Sequence, residues 1–144
     1  LIDALEMPAY PIVVERITNA ELNAIRKVCD QLRRARRDRD ERRFSELAAE
    51  IHARLFACTG FPRLLKLIQM VLGPVGFRYD RILVYPFADA WDLLTDLSVK
   101  RVEAVRERDA DLVVDVVRTH RQQLHEMAVK RAALPEIARY FRPD

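Results

Sequence analysis

Apolar residues recur every three to four positions in at least four segments of this chain, which is the spacing of one face of an α-helix. The chain has only three glycines among 144 residues, and the residues that favour helix most strongly, such as Ala, Leu, Arg and Glu, are frequent in it. These features predict an all-α fold, an antiparallel bundle of six to seven helices. The apolar positions are Leu22, Ile25, Val28, Cys29 and Leu32; Phe44, Leu47, Ala48, Ile51 and Leu55; Leu64, Leu65, Ile68, Val71 and Leu72; and Val113, Val116, Val117, Leu124 and Met127.

Capping residues and prolines divide the chain into six helical segments. The first covers about residues 2–16 and is bent by its two prolines. Thr18 or Asn19 caps the second segment, and Asp109 caps the sixth. Residues 77–90, which include the strand-like run RILVYPF, are interpreted as distorted helix plus turn because one short strand has no partner here.

The positive charge of the chain is concentrated in one run. Residues 33–43, RRARRDRDERR, hold seven Arg against three acidic residues, whereas the whole chain carries a net charge of only +3. A nucleic-acid contact is one interpretation of such a run, and a solvated junction between two helices is the other. No aromatic residues alternate with the arginines for base stacking, which favours the junction.

The length of 144 residues fits one domain, residues 1–144. The chain opens with Leu instead of Met, so we expect that a preceding part of the protein is missing from it. Cys29 and Cys58 do not form a disulfide framework, which is typical of a reducing compartment. No apolar run has the length of a membrane span, so the sequence predicts a cytoplasmic protein with no membrane partner.

Catalytic motifs are absent from the sequence. No Ser or Cys lies in a nucleophile motif, no glycine-rich loop is present to hold a phosphate, and no pair of carboxylates is placed by its spacing. The sequence therefore predicts that this chain is not an enzyme.

Two histidines lie among apolar positions of separate predicted helices. His52 is one turn after Ala48 on the third segment, and His120 lies on the apolar face of the sixth. Imidazoles that point inward from two helices define a polar centre that can bind a metal or a small ligand. The alternative is that both are core histidines whose hydrogen bonds are satisfied within the protein. His125 is five residues from His120, a poor metal spacing on a helix, and is expected on the surface.

Several stretches together resemble the FCD domain, the effector-binding domain of GntR-type bacterial transcription regulators. The opening from Leu5 to Leu22 is similar to the first helix of that family and the turn after it. The segment His52–Leu65, with its turn Thr59-Gly60-Phe61-Pro62, is similar to the third and fourth helices. Ala104-Val105, Asp109 and His120 match the family's spacing through its last two helices.

The resemblance also implies a metal site, of which half is lost in this sequence. The family uses an Asp one turn before the first His, that His, and one further His on each of the last two helices. His52 and His120 fall on two of these positions, while Ala48 and Ser98 occupy the others. Alanine has no donor atom and a serine hydroxyl is a weak ligand. We therefore expect no tightly bound metal and no other cofactor, although His52 and His120 as remnant ligands leave room for weak zinc or nickel binding.

The resemblance implies a ligand-sensing, homodimeric domain that contacts DNA only through a winged-helix domain absent from this chain. The first and fourth helical segments are the candidate dimer surfaces. The expected effector is a small organic acid in the bundle centre, lined by His52, Ser98, His120, Arg101 and Arg78. Arg101, on the inner edge of its helix, either anchors the charge of a carboxylate in place of the lost metal or extends to solvent, and we expect the second. The alternative function is a helical interaction module whose polar centre is vestigial and binds no effector.

Overall fold

A computed structural model describes residues 2–71 and 86–138 of the chain. All regular structure within these two ranges is helical, and the predicted all-α fold is confirmed. Six of the helices have seven or more residues. The helices are α1 Ile2–Glu6, α2 Tyr10–Arg16, α3 Asn19–Asp38, α4 Glu41–Ala57, α5 Pro62–Met70, α6 Ala88–Arg106, α7 Ala110–Ala132 and α8 Pro135–Ala138, and the 3-10 turn Met7–Ala9 joins α1 to α2.

Polar caps begin the three helices that build most of the bundle. The Thr18 hydroxyl accepts from the backbone N–H of Glu21, and the Glu21 carboxylate accepts from the backbone N–H of Thr18, which completes a capping box for α3. The carboxylate of Asp40 caps α4 in the same manner, and the carboxylate of Asp109 caps α7. The caps predicted at Thr18 and Asp109 are confirmed.

Consecutive helices joined by short turns pack against each other, as in an antiparallel bundle. Helix α3 packs on both α4 and α6, α6 packs on α7, and α4 packs on α5. The short helix α2 lies against α7, and α1 contacts α5. The apolar faces meet in one continuous core, in which the rings of Phe44 and Trp91 lie with centroids 4.8 Å apart. Burial of each large side chain in such a core contributes about 1.5–3 kcal/mol.

Arg108 links two turns at one end of the bundle. It lies in the turn between α6 and α7 and has a left-handed backbone, with φ of 61°. Its guanidinium donates to the carbonyls of Val14 and Ile17 at 2.8 and 2.6 Å, and to the side chain of Asn19 at 3.2 Å. The turn between α6 and α7 is thus joined to the connection between α2 and α3.

The first predicted segment is two short helices, since its prolines begin the 3-10 turn and α2. The Arg-rich run 33–43 forms the end of α3, the left-handed residue Arg39 and the start of α4. Its interpretation as a helix junction is confirmed. Cys29 is buried, Cys58 is half-buried, and both are free thiols. Most of the predicted distorted stretch 77–90 lies outside the described residues, and Ala88–Ala90 already belong to α6.

No helix in the described ranges combines the length and the apolar character needed to cross a membrane.

Candidate functional site

Arg101 is the largest completely buried side chain of the described residues, with an exposed fraction of 0%. It lies on α6 one turn after Leu97 and points into the bundle among the core residues. The expectation that this side chain extends to solvent is therefore wrong. Guanidinium is always charged in proteins, and burial of an unpaired charge is very unfavourable. Its neighbours must therefore supply hydrogen-bond acceptors.

The first neighbour of Arg101 is His52 on α4. The Nη1 atom of Arg101 lies 2.7 Å from Nε2 of His52, and Nδ1 of the same ring lies 2.9 Å from the carbonyl oxygen of Ala48. Because a carbonyl only accepts, Nδ1 carries a hydrogen and donates. A guanidinium only donates, so Nε2 of His52 can act only as the acceptor in its contact with Arg101.

The negative charge of the centre comes from Glu6, the last residue of α1, which is completely buried. Its Oε1 atom lies 3.2 Å from Nε2 of His52. Its Oε2 atom accepts from the Tyr10 hydroxyl at 3.3 Å and from the guanidinium of Arg121 on α7. Arg121 also pairs with the more exposed carboxylate of Asp3.

Burial by itself would raise the pKa of Glu6. The positive charges of His52 and Arg101, the close contact with the His52 ring and the hydrogen bond from Tyr10 together outweigh burial and hold the pKa of Glu6 below its usual value. Burial raises the pKa of Tyr10 far above its usual value, so its hydroxyl stays protonated as a donor. The centre thus contains an ionised carboxylate that pairs with the guanidinium of Arg121 and is stabilised by the nearby charge of Arg101.

Some polar atoms of this centre lack a suitable hydrogen-bond partner. Nε2 of His52 faces a donor, Arg101, and an acceptor, Glu6, and one nitrogen cannot satisfy both. Among the described residues, Oε1 of Glu6 and Nε of Arg101 are buried polar atoms without a hydrogen-bond partner. Buried polar groups are nearly always bonded in folded proteins, so these atoms mark a position where a further polar group fits.

His120 belongs to a different set of contacts. Its Nδ1 donates to the carbonyl of Val116 at 2.8 Å, and its Nε2 lies 2.8 Å from Asp96, which also pairs with Lys100 at 2.9 Å. Burial would raise the pKa of Asp96, but its hydrogen bonds with His120 and Lys100 lower it. The hydroxyl of Ser98 donates to the carbonyl of Leu94.

The structure therefore joins two of the predicted site residues, His52 and Arg101, in one hydrogen-bonded centre. No hydrogen bond or ion pair in the described part of the chain connects His120 or Ser98 to them. Arg78 lies outside the described residues. His125 is exposed, as predicted.

The donor set does not fit a transition metal. Within residues 2–71 and 86–138, no group of three or more His, Cys, Asp and Glu side chains is arranged to hold one. Nε2 of His52, the ring atom free of the Ala48 carbonyl, faces the permanent positive charge of Arg101. A cation placed there would be repelled by that guanidinium.

An open depression reaches His52 from outside the bundle. It lies between α4 and α5 and has a volume of about 250 Å³. The side chain of His52 is 12% exposed, so its ring lies between this depression and the buried charges. The lining residues are Glu46, Ala49, Glu50, His52, Ala53, Ile68 and Gln69.

Sequence reasoning missed Glu6, Tyr10 and Arg121. One local signal was present, because Glu6 and Tyr10 are four residues apart and only apolar residues lie between them. Arg121 directly follows the singled-out His120, but nothing in its spacing indicates a partner 115 residues earlier in the chain.

Comparison with known proteins identifies the family of the chain. The family model of the FCD domain matches residues 1–123. No curated protein and no solved structure matches the chain. FCD domains are regulatory and non-catalytic, with a role in effector binding and dimerisation. Because the match covers well over half of the 144 residues, this chain belongs to the FCD domain family, the C-terminal effector-binding domains of GntR-type regulators.

Proposed function

We propose that this chain is the ligand-sensing and dimerisation domain of a cytoplasmic GntR-type regulator, and that its effector is a small organic acid bound at Arg101 and His52. The observation that carries the proposal is the completely buried guanidinium of Arg101, whose Nε has no hydrogen-bond partner among the described residues. A guanidinium presents two parallel N–H groups that match the two oxygens of a carboxylate. The proposed role of Arg101 is to supply the positive charge that a metal supplies elsewhere in the family.

The depression between α4 and α5 is the proposed entry route. His52 is one of its lining residues, and Nη1 of Arg101 lies 2.7 Å from Nε2 of the same ring. Ser98, His120 and Arg78 remain proposed lining residues, on the strength of the family resemblance.

The proposed dimer uses the outer face of α5. Phe61, Leu67 and Met70, in and just before this helix, are exposed large apolar side chains. Exposed apolar side chains near one another are typical of surfaces that pair. Effector binding near α4 and α5 would then alter this dimer, and with it the spacing of attached DNA-binding domains.

A carboxylate panel tests the effector class. Differential scanning fluorimetry with small mono- and dicarboxylates, each beside its neutral amide, should show stabilisation by at least one acid and by none of the amides. Arg101→Gln should abolish the shift, whereas Arg54→Gln, which removes an exposed arginine of α4 paired with Glu50, should leave it unchanged. A shift that persists in Arg101→Gln would refute the assignment of the anchor.

Metal analysis tests the expected lack of a tight metal. Near-stoichiometric zinc or nickel in the purified protein would contradict it. Because Arg101 faces the metal-binding nitrogen of His52, restoring the family donors with Ala48→Asp and Ser98→His should create zinc affinity most strongly when Arg101→Ala is added. Failure of the triple variant to bind zinc would mean that these helices do not keep the family's metal geometry.

A second candidate function has its own observation. The side chains of Glu6 and Tyr10 already fill the space beside Arg101, as expected of an interaction module with a vestigial polar centre. Such a module would dimerise without binding any acid of the panel, and sedimentation together with the fluorimetry separates the two functions.

A further inference from the structure

We infer that Arg101, Arg121 and His52 form an anion site whose internal occupant is the carboxylate of Glu6, so that an effector carboxylate binds by displacing Glu6 together with α1. This inference rests on the proposed function and concerns how the same site is regulated.

Glu6 is placed as a bound carboxylate would be. Its carboxylate contacts His52 on α4 and Arg121 on α7, and the charge of Arg101 on α6 stabilises its ionised form. Two of these side chains are permanently charged, and the carboxylate is completely buried. Sites that bind carboxylates have this composition, with guanidinium groups and an imidazole converging on one anion. The charge that the site requires is thus supplied by the chain itself.

The internal carboxylate fits its site imperfectly. Oε1 of Glu6, a hydrogen-bond acceptor, and Nε of Arg101, a donor, both lack hydrogen-bond partners among the described residues. The position of α1 fixes where the Glu6 carboxylate can lie, while a free carboxylate can align both oxygens with Arg101. A ligand that forms hydrogen bonds with these buried atoms gains binding free energy from interactions that Glu6 does not make.

Apart from the polar contacts of Asp3 and Glu6 with Arg121 and Tyr10, little holds helix α1 in place. It has five residues, far fewer than a helix needs to be stable alone. From Asp3 to Glu6 only Glu6 is buried, while Asp3 and Ala4 are exposed and Leu5 is half-buried. Its release would therefore expose little apolar surface.

The 3-10 turn Met7–Ala9 is a suitable hinge. It separates α1 from α2, and α2 is anchored by the buried residues Tyr10, Val13 and Val14. Helix α1 can therefore leave while α2 remains in place. Since α1 contacts α5, its release changes the surroundings of the exposed apolar residues on α5. The occupancy of the anion site is thereby coupled to the proposed dimer surface.

Acetate, with acetamide as its neutral counterpart, is the probe for a test on the wild-type protein. Hydrogen exchange followed by mass spectrometry should show faster exchange in residues 2–9 at saturating acetate, and no change with acetamide. Faster exchange confined to these residues supports displacement of α1. Acetate binding with unchanged or slower exchange there overturns it, and this measurement needs no variant.

Glu6→Gln removes the internal charge and keeps the side-chain size. If Glu6 occupies the site nine-tenths of the time, this variant should bind acetate about tenfold more tightly than the wild type. Glu15→Gln, a change of the same charge at an exposed position of α2, should bind as the wild type does. Equal affinities in all three proteins refute the inference while acid binding through Arg101 still stands. Absence of binding by acetate and by every acid of the panel, in folded wild type and folded Glu6→Gln, refutes the proposed function as well.

Discussion

Glu6→Gln and Arg101→Met are expected to have very unequal effects on stability, although both remove one charge from the same buried centre. Glu6→Gln leaves the guanidinium of Arg101 buried without the negative charge that compensates it, while its contact with His52 remains. Removal of one partner from a buried ion pair typically costs 3–5 kcal/mol. Arg121 keeps Asp3 as a partner and is 16% exposed, so we expect the lower end of this range, about 3 kcal/mol.

Arg101→Met replaces the guanidinium with an apolar side chain that fits the same core. Glu6 then keeps the hydroxyl of Tyr10 and the guanidinium of Arg121. The expected cost is therefore small, about 1 kcal/mol.

The double variant should be more stable than Glu6→Gln alone, because the second change removes the charge that the first left unpaired. The resulting coupling energy should be about 2 kcal/mol, within the usual range for residues in one charged network. Urea unfolding followed by circular dichroism measures all four proteins. With a slope of about 2 kcal/mol per molar urea, Glu6→Gln should lower the midpoint by about 1.5 M. Costs that simply add in the double variant would refute the view that Glu6 compensates the charge of Arg101.

Three further outcomes are expected. Thr18→Ala removes half of the capping box with Glu21 and should cost about 1 kcal/mol in urea unfolding, whereas no measurable cost would mean that α3 does not depend on this cap. Gly60→Ala should cost about 1–2 kcal/mol in the free energy of unfolding, because Gly60 has a left-handed backbone with φ of 73°. An added Cβ would also lie 3.3 Å from the Arg16 side chain, which can move aside. A neutral effect on stability would therefore mean that the backbone of this turn is not left-handed. Because the pKa of Glu6 is lowered on folding, the unfolded chain takes up the proton first, so the stabilisation from Glu6 is complete above its ordinary value of 4.5 and is lost as the pH falls through the folded pKa. Stability measured against pH should therefore decline in that acidic range in the wild type and less steeply in Glu6→Gln, and parallel curves would contradict this.

The helices and their caps could be predicted from the sequence because the interactions that define them are local. The capping box joins residues three positions apart, and the apolar faces follow the helical period. The prolines of the opening segment likewise act on their own turn. These features need no knowledge of which helices are neighbours in space.

The charged centre could be predicted only in part because it depends on residues far apart in sequence. His52 and Arg101 were both named as site residues, but the 49 positions between them gave no indication that their side chains meet. Without knowledge of that contact, an arginine at the edge of an apolar helix face is expected to extend its charged group into solvent. The burial of Arg101 is explained only when the position of the Glu6 carboxylate is known, and its spacing in the sequence gives no indication that Glu6 lies near Arg101.

The contacts of Arg108 have a consequence for how the chain folds. Its three acceptors lie 89 to 94 positions earlier in the sequence, so these bonds close a loop that includes most of the domain. Contacts of such long range form only after much of the intervening chain is ordered. We therefore expect the connection between α2 and α3 to reach its final position only after the turn between α6 and α7 has formed. Because these bonds join distant parts of the chain, the domain should unfold in a single transition.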